Sequence, residues 1–208
     1  MDIDDAHRIT DPDTLLALYG QPQGASVLKE VDHVHPHYRA FIEAAPFVVL
    51  ATSGPDGLDA SPRGDPAGFV TVADDKTLLI PDRRGNNRID SLRNILADPR
   101  VALLFLVPGV GETLRVNGRA SISTDPALLA RFAMQDKPPR SVVVVQVEKV
   151  FFQCSRAIVR SALWDPATQI ARTRLPSTGR ILADLSAGTI DGETYDRALP
   201  GRVRETLY

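Results

Sequence analysis

Between residues 47 and 80 the chain offers four strand-length segments with no room for a helix between them. Phe47-Val48-Val49-Leu50-Ala51-Thr52 is apolar and β-branched, and Gly54-Pro55-Asp56-Gly57 is a turn by composition. A second strand returns over 58–63 and a third spans 68–73, after which Asp74-Asp75-Lys76 turns into a fourth at 77–80. Strands this close argue an antiparallel meander and exclude βαβ units, whose crossovers need a dozen or more residues.

The rest of the chain extends that pattern. Ile89, Leu92, Ile95 and Leu96 recur at helical spacing before Asp98-Pro99 ends the helix. Segments 101–107 and 113–123 read as strands around the loop Pro108-Gly109-Val110-Gly111. Asp125-Pro126 starts a helix containing Leu128, Leu129 and Phe132. The stretch 141–152, with Val142 to Val145 consecutive, is a strand that must be covered on both faces. The sum is six or seven antiparallel strands closing into a small barrel, with helices outside.

The ends are helical. Thr10-Asp11-Pro12 starts one helix and a second runs over 36–45, while 154–164 reads as another and 167–208 as two or three short ones. The expected organisation is a helical extension over 1–46, a barrel domain over 47–164, and a helical tail over 165–208 packed on the barrel.

Bulk properties narrow the function. A formal net charge of −2 provides no global field for nucleic acid or an anionic membrane. No stretch approaches the ~18 apolar residues of a membrane span, and the acidic start MDIDDAHRIT is no signal peptide. The single cysteine, Cys154, fits a reducing compartment, so a cytoplasmic protein is expected. A lone cysteine with no evident base is read as buried and structural.

Three segments are candidates for chemistry. The first, Pro81-Asp82-Arg83-Arg84-Gly85-Asn86-Asn87-Arg88, lies between a strand end and a helix start. Unpaired N–H groups and a partial positive charge at such a start attract phosphate, and arginine and asparagine add donors. The alternative is that Asn86 or Asn87 merely caps the helix and the arginines are solvated. The second is Ser61-Pro62-Arg63-Gly64-Asp65, where Pro62 marks a strand edge and Arg63 either reaches the same anion or sits on the surface beside Asp65. In the third, strand alternation puts Thr113, Arg115, Asn117 and Arg119 on one face, which either meets solvent or lines a ligand site. Arg156 and Arg160 share a helix face that Trp164 continues, so this stretch either meets an anion and covers an aromatic ring or is an ordinary packed helix with a buried Trp.

Taken in order, the Ser-Pro-Arg-Gly-Asp strand end, the Leu-Leu-Ile-Pro-Asp-Arg-Arg-Gly-Asn-Asn-Arg junction, the Asn-Ile-Leu-Ala-Asp-Pro-Arg-Val-Ala-Leu-Leu-Phe segment and Leu-Arg-Val-Asn-Gly-Arg-Ala resemble the FMN-binding core of the pyridoxamine-5′-phosphate-oxidase-like flavoproteins over about 47–164. More closely, they resemble an uncharacterised bacterial FMN-dependent subgroup. The resemblance implies a split barrel, a homodimer with FMN at its interface, and a flavin-dependent oxidoreductase moving hydride between the flavin and a small-molecule substrate or NAD(P)H.

By position, Arg63 falls where the family places a phosphate-binding cation, and Pro81 and Asp82 fall at its flavin contacts. Asn86, Asn87 and Arg88 replace a Ser-Arg-Lys phosphate grip, with one charge for two and Arg83 or Arg84 as the compensating cation. Thr113 replaces a flavin-contacting glutamine, with Arg115 as the other candidate on that face. Arg156, Arg160 and Trp164 follow the last barrel strand, where the partner subunit's half of the pocket is completed. The family's C-terminal substrate-binding arginines have no match in 167–208, so the substrate stays open. A non-catalytic flavin sensor, or the same fold holding the deazaflavin F420 or haem, are the alternatives.

Other readings fall away. His33, His35 and His37 flank Pro36 without standard zinc spacing, so no metal is expected. Gly109-Val110-Gly111 lacks the third glycine and the βαβ setting of a dinucleotide loop, and the chain carries neither a Walker A pattern nor a Gly-x-Ser-x-Gly elbow. Arg83, Arg84, Arg88 and Arg93 lack the interleaved aromatics of a nucleic-acid surface.

Overall fold

A computed structural model describes residues 5–208. Seven strands form one antiparallel sheet: β1 (Phe47–Gly54), β2 (Gly57–Gly64), β3 (Thr71–Asp74), β4 (Thr77–Pro81), β5 (Arg100–Leu106), β6 (Thr113–Ser123) and β7 (Val142–Gln153). Their order is β2-β1-β5-β6-β7-β4-β3. Among the described residues the outer strands β2 and β3 do not pair, so the sheet curls without closing, as in a split barrel. Its far ends nevertheless meet: Arg63 of β2 donates from Nη1 to Asp82 Oδ1, just past β4, at 2.7 Å.

The interior follows from period-2 patterning. Val48 and Leu50 of β1, Val101, Leu103 and Phe105 of β5, and Leu114 and Val116 of β6 all point into one core. On β7 the buried set shifts from Val143, Val145 and Val147 to Val150. A bulge causes this, because Gly118 faces Val147 while Asn117 faces Lys149. Gly118 is needed there, since a Cβ would collide with the Gln146 carbonyl. Both faces of Val142 to Val145 are covered: Val143 and Val145 face the main core, and Val142 packs with Leu79 and Phe132. That second cluster lies beneath α5 (Pro126–Arg131), whose Leu128 and Leu129 join it.

The helices lie outside the sheet. At the N-terminal side, α1 (Pro12–Tyr19) is capped by Asp11, α2 (Ala25–Leu28) is one turn, and α3 (Pro36–Ala44) buries Ile42. Against β1, α4 (Asp90–Ala97) buries Ile95, and its Asn94 donates to Thr52 Oγ1 at 3.1 Å. After β7 come α6 (Arg156–Ser161), α7 (Thr178–Leu185) and α8 (Gly192–Glu205). Among the described residues no helix is long and apolar enough to cross a membrane.

Several local expectations are corrected. The third strand starts at Thr71 rather than residue 68, because Pro66–Phe69 forms a turn with Gly68 at φ +87°. The helix expected over 154–164 stops at Ser161, where Ala162 turns left-handed at φ +49°. Trp164 therefore does not continue the Arg156–Arg160 face. Its indole N–H instead donates to the Val110 carbonyl at 2.8 Å. Cys154 is exposed, not buried, and the backbone N–H of Arg156 holds its thiol below the usual range. On β6, Thr113 is buried while Arg115 and Arg119, expected on its face, are exposed.

Candidate functional site: an arginine-rich cleft at the barrel seam

Where the two ends of the sheet meet, a cleft of about 600 Å³ opens between residues 59–64 of β2 and residues 81–92 at the β4–α4 junction. That volume is typical of a small-molecule site. Seven of the residues singled out from sequence line it: Arg63, Pro81, Asp82, Arg84, Asn86, Asn87 and Arg88. Five arginines face three aspartates on its walls, so the cleft carries net positive charge in a net-negative chain.

The junction adopts an unusual backbone. Asn87 and Ile89 are both left-handed, at φ +59° and +54°. For β-branched Ile89 this is a costly conformation that tends to mark functional sites. Ile89 is also the residue preceding α4, and it offers no side-chain cap. Neither Asn86 nor Asn87 caps the helix, which overturns the capping alternative. Asn86 Oδ1 accepts from the Arg88 backbone N–H at 3.0 Å, and Asn87 Oδ1 accepts from Arg140 at 3.1 Å. The first-turn N–H groups of α4 thus lack a side-chain acceptor at the cleft wall, as an anion site requires.

The cations differ in how they are held. Arg63 and Asp82 pair with each other, 20% and 16% exposed. Arg63 Nε is buried with no hydrogen-bond partner, an orphaned donor in the cleft wall. Arg83 is committed elsewhere, to Asp65 Oδ2 at 2.6 Å and the Phe132 carbonyl at 2.6 Å. The Asp65 side chain is only 3% exposed. Arg88 leans into solvent, 75% exposed, against Asp90 at 2.7 Å, and that carboxylate raises its guanidinium pKa. Arg84 has no acidic partner among the described residues.

Sequence reasoning missed Arg140, which lines the cleft through the turn before β7, and Asp59, which anchors α4 by accepting from Ser91 Oγ at 2.7 Å. It also missed the structural role of Asp65. No local pattern marks these residues, because their partners are distant in sequence.

The other five candidates form a separate group that does not line this cleft. Thr113 faces Gln153 across the β6–β7 ladder, and Arg115 lies 4.9 Å from the Phe151 ring. Arg156 begins α6 just beyond β7. Trp164 folds back to the 108–111 loop, and Arg160 sits on α6. Among the described residues no cluster of three metal-ligating side chains occurs, the His33–His37 segment included.

Comparison with known proteins gives a family and several distantly similar structures. The family model for pyridoxamine 5′-phosphate oxidase matches residues 34–154. Its lower bound precedes the resemblance seen in the sequence, taking in α3, and its upper bound stops before α6. No curated protein matches the chain. Among solved structures, Group A Streptococcus HupZ is 22% identical at a TM-score of 0.46, covering 58% of this chain and 94% of that one. General Stress Protein 26 from Bacillus anthracis is 18% identical at 0.42, covering 54% and 88%. An FMN-binding protein from Syntrophomonas wolfei is 14% identical at 0.43, covering 55% and 82%.

Proposed function

The chain belongs to the pyridoxamine 5′-phosphate oxidase family, and from that premise we propose that it is an FMN-dependent oxidoreductase that binds the flavin phosphate in the seam cleft. Members of the family commonly hold FMN and form dimers. The observation that carries the reading is the uncapped N-terminus of α4 opening into a cleft with an excess of arginine. Bound FMN would supply reversible hydride acceptance, taking hydride from NAD(P)H or a small organic substrate.

The chain's own residues bind and orient. The first-turn N–H groups of α4 and the Arg84 guanidinium hold the phosphate, and the free amide NH₂ groups of Asn86 and Asn87 add neutral donors. Arg63 satisfies its orphaned Nε on the ligand while its Nη1 stays on Asp82. Pro81 and Phe69 give the cleft an apolar wall. Thr113, Arg115, Arg156, Arg160 and Trp164 complete the pocket of the partner subunit in a homodimer. Haem fits less well, because among the described residues of this chain no His, Cys, Met or Tyr lines the cleft to serve as an axial ligand.

The test is an absorbance and fluorescence spectrum of the purified protein, with mass spectrometry of what heat releases. FMN near one-to-one supports the reading, and a protein that is empty and ignores added FMN overturns it. Arg84→Ala should then weaken FMN on the order of tenfold, the loss of one charge-assisted bond. Arg88→Ala should weaken it less, because Asp90 already holds that guanidinium. Fluorescence titration separates the two, and an Arg84→Ala protein with full affinity would move the phosphate elsewhere.

A further inference from the structure

Tyr208 lies 143 residues from Asp65 in sequence and donates its hydroxyl to Asp65 Oδ1 at 2.7 Å. Asp65 is nearly buried, and its other oxygen accepts from Arg83 Nε. The Tyr208 ring lies 5.7 Å from the Arg83 guanidinium, and Lys137 Nζ donates to the Tyr208 backbone oxygen at 3.1 Å. One residue therefore engages β2's trailing loop, the β4–α4 junction and the turn before β7. Each of these segments contributes to the cleft wall, through Phe69, through residues 81–89, and through Arg140 and Ser141. Tyr208 also lines a smaller depression of about 190 Å³ that shares Arg83, Arg84 and Arg140 with the main cleft.

The element that carries Tyr208 is itself fixed. At the start of α8, Gly192 meets Gly179 of α7 backbone to backbone, where a Cβ on either residue would clash. Asp196 accepts from the Gly179 N–H at 2.7 Å. Three residues past α8, Tyr208 is thus presented by a clasped helical hairpin.

We propose that Tyr208 is a positioning residue of the cleft: docked on Asp65 and Arg83, it holds the β4–α4 junction in the shape that receives the ligand, and the segment bearing it acts as a strap along the cleft's edge. In its role toward FMN this rests on the proposed function. Without the hydroxyl, Asp65 keeps one partner instead of two, and Arg83 gains freedom next to Arg84, the cation assigned to the phosphate. The strap is also sensitive to alkaline pH. The bond to Asp65, with burial and the carboxylate charge adding to it and Arg83 opposing, holds the phenol above its ordinary pKa of 10.0. The strap is therefore complete below pH 10 and released as pH rises through the raised value. Asp65, Arg83 and Lys137 contact Tyr208, and the cations Arg84 and Arg140 line the same depression.

The test compares wild type with Tyr208→Phe, which keeps the ring and removes one bond. FMN affinity of the variant should fall about three- to tenfold at neutral pH, a fraction of one hydrogen bond to a charged group, because Tyr208 reaches the ligand only through Arg83 and the junction. As pH rises from 10 through the raised value of the Tyr208 phenol the wild-type advantage should shrink and vanish, and taking the difference between the two proteins cancels titration of the flavin itself. Hydrogen exchange of the amides over 81–89 at neutral pH should be faster in the variant. If wild type binds FMN and Tyr208→Phe matches it at every pH, the proposal is overturned. If wild type ignores FMN, the flavin reading fails separately, and exchange alone decides: faster exchange upholds the strap and unchanged exchange overturns it.

Discussion

The seam cleft and the β6–β7 end of the barrel use similar residues, arginines and small polar groups at strand ends, yet the chain holds them differently. Around the cleft, bonds between distant segments cross-link the walls: Arg63 to Asp82, Arg83 to Asp65, Ser91 to Asp59 and Tyr208 to Asp65. Two of these carboxylates are 16% and 3% exposed. At the β6–β7 end the strand ladder sets the register, one indole bond fastens Trp164, and Arg115, Arg156 and Arg160 are exposed. The first region is organised within one chain before any ligand arrives. The second leaves its three arginines exposed and holds only Trp164 by a hydrogen bond.

The sharpest way to break this comparison is to remove Asp65. Asp65→Ala strands the Arg83 guanidinium, 18% exposed, with only the Phe132 carbonyl, and it frees Tyr208. Removing one member of a buried pair leaves an uncompensated charge, so a loss of about 3 kcal/mol is expected in denaturant unfolding. Asp65→Asn should lose less, because an amide oxygen still accepts one bond. If Asp65→Ala unfolds like wild type, the cleft walls are not held by this network and the contrast with the β6–β7 end collapses.

At the other end the corresponding change is Trp164→Phe, which keeps the ring's apolar body and removes the donor to Val110. About 1 kcal/mol is expected, one neutral hydrogen bond. FMN affinity of a monomeric preparation should be unaffected, because Trp164 does not line the cleft of its own chain. A dimer whose FMN affinity falls in the same variant would place Trp164 at the partner's pocket. A dimer with unchanged affinity would remove it from the site.

The two regions also differ in how far the sequence exposes them. The strands were legible because inward residues alternate, and Val142 to Val145 signalled a two-sided strand that the main core and α5 do cover. The β4–α4 junction was legible because Pro81, Gly85 and paired asparagines punctuate it. Which arginine is free and which is engaged was not legible. Arg63 and Arg83 find their carboxylates 19 and 18 residues away, a distance that only the curl of the sheet resolves. Nor did the sequence warn that Trp164 leaves the helix line: Ala162 takes a left-handed conformation that usually calls for glycine, and alanine gives no sign of it. Cys154 misleads in the same way, since the habit of lone cysteines to be buried gives way to its place at the exposed start of α6.

The smallest expected effect lies outside both regions and tests whether burial is what separates them. Asp32 pairs with Lys76 Nζ at 2.9 Å and with His33 Nδ1 at 3.0 Å, but its side chain is 77% exposed. The hydrogen bond from Lys76 first, and that from His33 next, hold its carboxyl at about 2, below the ordinary 3.8. A depressed folded-state value means the pair stabilises above pH 3.8 and that this contribution is lost as pH falls toward 2. The melting temperatures of wild type and Asp32→Asn should therefore differ slightly at pH 5 and converge as pH falls through about 2. The pH 5 difference should shrink in about 0.5 M salt, where the Debye length is only a few ångströms. Lys76 also donates to the Asp32 carbonyl, a bond the variant keeps, which limits the loss further. If Asp32→Asn costs as much as Asp65→Ala and ignores salt, ion pairs count alike at the surface and in the cleft, and burial no longer explains why one end of the barrel is preorganised and the other is not.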